Sequence, residues 1–170
     1  MFATAAAGAQ ADFLTMAKGI AGGFPLGAFT VTDEVSASLE AGYHGGTYCG
    51  NPLACAVAHA VISYLAENDV AARVASLGRE ALDEMAGWKQ ERPGAVADVR
   101  GAGLLLLLEL RDEATAAAVA AECLARRVFV RQTQGSGIRV FPALTIERDE
   151  LMAGLQTLRE AVETVAGDAE

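Results

Sequence analysis

The stretch that decides the fold is residues 12–32, DFLTMAKGIAGGFPLGAFTVT. Two nearly continuous apolar runs, Asp12–Ala17 and Leu26–Thr32, lie on either side of the glycine-rich segment Gly19–Gly27. Short apolar runs bounded by turn residues are typical of buried β-strands. The stretch therefore predicts two short buried strands, and two such strands normally need more sheet around them.

Lys18 stands at the end of the first run, immediately before Gly19. A lysine held there can be desolvated, and burial favours the neutral amine over the ammonium ion. A neutral amine is a nucleophile toward carbonyl carbon, which is what a Schiff-base lysine requires. A solvated lysine at a strand end fits the same position, so both interpretations stand at this point.

A second glycine-containing loop, residues 42–50, leads into a helix. Asn51 is a helix-capping residue type and Pro52 suits the first helical position, so the apolar run Leu53–Leu65 is predicted to continue a helix. Glycine N–H groups, the Thr47 hydroxyl and the positive end of a helix dipole are the ingredients of a phosphate site. An ordinary capped glycine loop fits equally well.

The turn at Pro93-Gly94 divides the chain, and the residues beyond it are expected to form a compact α+β unit. Apolar spacing predicts three helices: Val70–Lys89, Glu113–Arg127 and Glu147–Val165. Short apolar runs predict four strands: Val96–Arg100, Leu104–Leu110, Val128–Arg131 and Ile138–Phe141. Alternation places Arg139 on the opposite strand face from Ile138 and Val140, where its guanidinium could bind a carboxylate. A lone arginine on a short strand is also commonly a plain surface residue.

The composition excludes several classes of function. Of 170 residues, 52% are hydrophobic and 21% charged, and 13 basic against 22 acidic side chains give a formal charge of −9. With no basic cluster beyond Arg126 and Arg127, we expect a globular protein with neither a nucleic-acid nor a membrane partner. The longest apolar run, Leu104–Leu108, is far shorter than a membrane helix needs and predicts a core strand.

Cysteine and histidine usage indicates neither disulfides nor a metal site. The three cysteines, Cys49, Cys55 and Cys123, form no CxxC pair, and the two histidines, His44 and His59, have no second ligand type at a suitable spacing. We expect reduced thiols in the core and a cytoplasmic location.

Taken together, these segments resemble the class III, fold-type I pyridoxal-phosphate aminotransferases, the group that contains acetylornithine, ornithine and 4-aminobutyrate aminotransferases. Residues 12–28 resemble the family's Schiff-base lysine segment, and residues 45–55 resemble its threonine loop and the helix that follows. Residues 99–104 and 138–146 resemble landmarks of its C-terminal domain. The resemblance covers essentially the whole chain.

The resemblance assigns roles to the candidates. Lys18 would attach pyridoxal 5′-phosphate covalently and move protons during the reaction. Gly46 and Thr47 would bind the cofactor phosphate, in this family usually across a dimer interface, and Arg139 would hold the substrate α-carboxylate. The implied reaction moves an amino group from an ornithine- or acetylornithine-type donor to a 2-oxo acid such as 2-oxoglutarate.

The implied fold is α/β: a fragment of the fold-type I large domain over residues 1–67, followed by the small C-terminal α+β domain over residues 68–170. The pair Phe2-Ala3 matches a family position near mid-chain, so the N-terminal half is expected to be missing. With it would go the phosphate loop, the ring-stacking aromatic residue and the aspartate at the pyridine nitrogen. Exposed strand edges then predict association, as a homodimer or with a separate N-terminal half.

Three functions stay open at this point. The first is an aminotransferase, or the catalytic-lysine half of one. The second is another fold-type I enzyme, such as a 4-aminobutyrate aminotransferase or an aminomutase. The third is a non-catalytic truncated or assembly fragment. The sequence does not select the amino donor, because the specificity residues of this family lie partly outside these 170 residues.

Overall fold

The computed structural model describes residues 2–167, which divide into two compact units with the boundary between Ala71 and Ala72. The sequence predicts the division four residues earlier, between residues 67 and 68. The observed boundary lies in the first turn of the helix that begins at Val70. Within the described range, no helix combines the length and apolar character needed to cross a membrane.

The first unit is built from short elements around one longer helix. They are α1 (Ala3–Ala6), β1 (Phe13–Met16), a 3-10 helix (Lys18–Ala21), β2 (Ala28–Val31), α2 (Asp33–Ala37) and α3 (Pro52–Glu67). α3 begins as predicted, since the Asn51 side chain accepts a hydrogen bond from the Ala54 N–H at 3.1 Å. The 3-10 helix packs on α3, and the buried residues there are small: Ala21, Ala54 and Ala58.

The prediction that the two strands around the glycine-rich segment are buried is wrong for this chain. β1 and β2 form an antiparallel pair, but every residue in it is exposed or half-buried, and Phe13 and Phe29 are 63% and 53% exposed. Their sheet has only two strands among residues 2–167. Apolar side chains on both faces therefore lack a covering layer within the described chain.

The second unit combines three helices with a four-stranded sheet. Its elements are α4 (Val70–Glu91), β3 (Val96–Ala102), β4 (Leu105–Leu110), α5 (Glu113–Ala125), β5 (Arg131–Gln132), β6 (Gly137–Val140) and α6 (Arg148–Gly167). The strands form an antiparallel sheet in the order β3-β4-β6-β5. Strand periodicity places Leu106, Leu108 and Leu110 on one face, each at most 1% exposed, in a core shared with Met85 and Leu158.

The predicted strand Val128–Arg131 is wrong at its start, since β5 contains only Arg131 and Gln132. In the observed register Arg131 lies opposite Arg139, so continuing the ladder backward would bring Val128 opposite Pro142. Proline has no N–H to donate to a ladder, which accounts for the missing pairing of Val128 but not for that of Phe129 and Val130. Val128 instead packs its side chain against the core without strand pairing.

The three cysteines differ in exposure, which corrects the expectation that all are core residues. Cys123 on α5 is buried, whereas Cys49 and Cys55 are exposed. Burial raises the pKa of the Cys123 thiol to about 11, so this thiol stays protonated near neutral pH.

We therefore expect iodoacetamide at about pH 8 to modify Cys49 and Cys55 in the folded chain and to spare Cys123, because the thiolate is the nucleophile. In denaturant all three should react. Mass spectrometry of the alkylated peptides measures this. Rapid modification of Cys123 without denaturant would contradict the burial that the structure shows.

Candidate functional site

Lys18 occupies a distinctive backbone position between β1 and the 3-10 helix. Ala17 is extended, with φ −157°, and at Lys18 the backbone enters the left-handed region, with φ 57°. Side chains larger than glycine rarely adopt this region, and such residues cluster at functional sites. The extended backbone that follows β1 therefore turns at Lys18, the lysine that the sequence singles out.

The Lys18 side chain is exposed in the described part of the chain. Its neighbours β1 and β2 are themselves uncovered among the described residues. No hydrogen bond or ion pair within residues 2–167 involves the Lys18 amine, whereas the Lys89 amine donates to Asp98 at 3.2 Å. Of the two lysines, Lys18 thus has the amine that is free to react.

The loop before α3 presents donors suited to an anion. Thr47 is exposed, and the turn closes through the Cys49 N–H, which donates to the Gly46 carbonyl at 3.0 Å. A Cβ at Gly46 would lie 3.2 Å from the Cys49 sulfur, so the turn is tight there. Within residues 2–167 the N–H groups of Gly46 and Thr47 donate to no backbone carbonyl, and the Thr47 hydroxyl forms no hydrogen bond. Such donors ahead of a helix suit a phosphate.

Lys18 and Thr47 lie in the same unit but on different elements. His44 in the loop contacts Phe29 of β2 edge to face, with ring centroids 5.7 Å apart. Lys18 instead belongs to the 3-10 helix that packs on α3. No hydrogen bond among residues 2–167 joins the Lys18 and Thr47 side chains, so their joint role stays a prediction.

Arg139 lies on β6 in the second unit, with the alternation that the sequence predicts. Ile138 and Val140 are buried at 0% and 8% exposure, and Arg139 between them is exposed. The side chain lines two adjoining cavities of about 790 and 680 Å³. Arg131, which the sequence analysis did not single out, lines both as well. A guanidinium at a cavity wall can bind a carboxylate, which remains the predicted role of Arg139.

The described part of the chain contains no cluster of potential metal-ligating side chains. No group of three or more His, Cys, Asp or Glu side chains there is arranged to hold a metal ion. The chemistry available at the candidate positions is that of an amine, a hydroxyl, backbone N–H groups and guanidinium ions.

Comparison with known proteins identifies the family. The family model described as aminotransferase class-III matches residues 1–162. The mitochondrial acetylornithine aminotransferase of Yarrowia lipolytica is 37% identical over 158 residues, which is 92% of this chain and 38% of that protein. The acetylornithine aminotransferase of Methanothermobacter thermautotrophicus is 34% identical over 164 residues, 95% of this chain and 41% of that protein.

The fold agrees with solved aminotransferase structures. The crystal structure of acetylornithine aminotransferase from Elizabethkingia anophelis matches with a TM-score of 0.89 at 26% identity, covering 96% of this chain and 41% of that one. The chain thus spans about two fifths of the length of these relatives. The predicted α/β fold class, including part of the fold-type I large domain, is confirmed. The chain belongs to the class-III aminotransferase family, and within it is similar to the acetylornithine aminotransferases.

Proposed function

We propose that this chain is the catalytic-lysine part of a pyridoxal-phosphate aminotransferase that transfers an amino group from an ornithine- or acetylornithine-type donor to a 2-oxo acid such as 2-oxoglutarate. The observation that carries the proposal is Lys18: an exposed amine without a carboxylate partner among residues 2–167, at a left-handed turn that ends β1. It lies in a chain that aligns with acetylornithine aminotransferases over nearly its whole length.

The residues present fit pyridoxal phosphate in chemical type. Lys18 supplies a primary amine for its aldehyde, and the unpaired N–H groups of Gly46 and Thr47, with the Thr47 hydroxyl, suit its phosphate. When bound, the cofactor supplies an electron sink for the bonds at the substrate α-carbon. These residues are the ones we propose to hold it.

We assign Lys18 and Arg139 separate roles in the proposed reaction. Lys18 would hold the cofactor through its amine, and this amine would take a proton from the substrate α-carbon and deliver one in return. The Arg139 guanidinium would bind the substrate α-carboxylate. The first unit would then carry out the cofactor chemistry, and the second unit would bind the substrate carboxylate.

We also propose that the first unit associates with another chain, either a second copy or a separate N-terminal half. Large apolar side chains stay exposed on this unit, among them Phe13, Phe29 and Leu53 at 53–63%. Exposed apolar surface beside an open strand pair favours pairing with a partner. Light scattering coupled to gel filtration distinguishes a monomer from a dimer of this chain.

The activity is tested by glutamate formation. The chain with pyridoxal phosphate, alone and then mixed with the N-terminal half of a related acetylornithine aminotransferase, is supplied with 2-oxoglutarate and one donor at a time. The donors are N-acetylornithine, ornithine and 4-aminobutyrate. We expect glutamate from the first two in excess of the third. Faster turnover of 4-aminobutyrate would favour a different enzyme of this fold, and no glutamate under any condition would favour the non-catalytic alternative.

A further inference from the structure

The segment 141–147 connects β6, which carries Arg139, to α6, and it contains only a turn between these two regular elements. Inside the segment, the Ile146 N–H donates to the Ala143 carbonyl at 3.0 Å. The cavity of about 790 Å³ that Arg139 lines takes part of its wall from this segment, at Phe141, Pro142, Ala143, Thr145 and Ile146. The shape of the cavity therefore depends on how the segment is held.

Arg73 on α4 holds this segment. Its guanidinium donates to the Leu144 carbonyl at 3.1 Å and to the Ile146 carbonyl, which lie 71 and 73 residues further along the chain. The same guanidinium forms an ion pair with Glu147 at 3.4 Å. A guanidinium presents five N–H donors in fixed directions, so it can contact two carbonyls and a carboxylate at once. One side chain thus ties α4 to the segment at three points.

The start of α6 depends on the same arginine. Glu147 directly precedes α6, and its carbonyl accepts a hydrogen bond from the Leu151 N–H at 3.0 Å, so Glu147 occupies the N-cap position. Ser, Thr, Asp and Asn are preferred there, because their short side chains accept hydrogen bonds from N–H groups of the first turn. The Glu147 carboxylate accepts no such bond within residues 2–167 and pairs with Arg73 instead. Arg73 therefore orders the end of the segment that a side-chain cap would otherwise order.

We propose that Arg73 is a positioning residue, which fixes the segment 141–147 and thereby sets the cavity wall beside Arg139, where the substrate carboxylate would bind. This inference rests on the proposed aminotransferase function for the role of Arg139. Arg73 lines neither of the two cavities, so it acts through the segment and not by touching substrate.

The consequence for substrate binding follows from populations. Without the Arg73 contacts the segment adopts several arrangements, and only a fraction of the molecules presents the complete cavity wall. The apparent affinity for the substrate falls by that fraction. The Lys18 amine belongs to the other unit and is unchanged, so a substrate molecule that has bound reacts at the same rate. Loss of Arg73 should therefore raise KM and leave kcat nearly constant.

Hydrogen exchange of the full chain tests whether Arg73 fixes the segment. Mass spectrometry follows the peptides that span residues 141–151. We expect Arg73→Gln to speed exchange in these peptides about fivefold, because the segment and the first turn of α6 lose charge-assisted hydrogen bonds. Arg73→Lys should recover part of the protection, since it restores the charge but not the planar fork.

Arg79→Gln is the matched control. Arg79 also lies on α4, is exposed, and forms no ion pair within residues 2–167. We expect this variant to exchange like the unchanged chain. Peptides from β4, whose alternate residues are buried in the core, should exchange at the same rate in every variant, which shows that the unit remains folded.

A second readout separates positioning from a purely structural role. In the glutamate assay, Arg73→Gln should raise KM for 2-oxoglutarate about fivefold and change kcat less than twofold, with Arg73→Lys in between. If no glutamate forms, calorimetric titration of the chain with 2-oxoglutarate replaces KM, and the same loss of affinity is expected.

Three results would overturn the proposal. The first is unchanged exchange over residues 141–151 in Arg73→Gln. The second is faster exchange with unchanged KM and unchanged affinity for 2-oxoglutarate, which includes a chain that does not bind it. The third is a fall in kcat at constant KM. Failure of the aminotransferase function is seen separately: glutamate formation is then absent, while faster exchange and weaker 2-oxoglutarate binding in Arg73→Gln persist.

Discussion

Replacing Lys18 with alanine is expected to abolish selective attachment of pyridoxal phosphate to this chain, while Lys89→Ala leaves it unchanged. The reason is the difference between the two amines. The Lys89 amine donates to Asp98 at 3.2 Å, whereas no such partner of Lys18 lies within residues 2–167. An amine held in an ion pair must leave that pair before it can attack an aldehyde. The measurement is borohydride reduction of the chain with pyridoxal phosphate, followed by peptide mapping.

Lys18→Arg separates charge from nucleophilicity in this experiment. It keeps a cation at position 18 but supplies no amine that reacts with an aldehyde, so we expect the label to be lost as completely as in Lys18→Ala. Equal labelling of the Lys18, Lys89 and N-terminal amines in the unchanged chain would show that Lys18 is not singled out by this fold, and the proposed role would fall.

Gly78→Ala is expected to destabilise the second unit by about 3 kcal/mol, at the upper end of the cost of overpacking. α4 crosses the turn between β3 and β4 at this residue. A Cβ at Gly78 would lie 2.6 Å from the Gly103 Cα and nearer still to the Gly103 carbonyl group. Both partners are backbone, so no side chain can rotate away, and the helix itself would have to move. The midpoint of urea unfolding measures the change.

Gly87→Ala is the matched control for that substitution. Gly87 lies on the same helix, and no heavy atom of the described chain would lie within 4 Å of an added Cβ. Alanine has the higher helix propensity, so this variant should gain about 1 kcal/mol. A similar gain in Gly78→Ala would show that the contact between α4 and the Gly103 turn is not tight in solution.

The four long helices, α3 to α6, could be predicted from the sequence because their determinants are local, whereas the short α1, α2 and 3-10 helix were not predicted. The α3 cap depends on Asn51 and Pro52, which are adjacent to the helix they begin. In α6 the apolar spacing predicts the buried residues Leu151, Leu155 and Leu158, as the structure confirms. Each of these features needs only a few consecutive residues to be recognised.

The burial of particular side chains could not be predicted in the same way. Apolar composition indicates which strands favour burial, but a strand is buried only where another layer covers it. β1 and β2 have no such layer among residues 2–167, and Lys18 at the end of β1 is exposed for the same reason. Cys55 likewise lies on the exposed side of α3, although its residue type is commonly buried.

The sequence by itself determined the family and the order of the four long helices, and its short local motifs select Lys18, Thr47 and Arg139 as candidates. Only the tertiary structure decided that Arg131 lies opposite Arg139 and that Gly78 meets Gly103. Both contacts join segments separated along the chain. Strand register and helix crossing follow from the packing of the whole unit, and no local pattern encodes them.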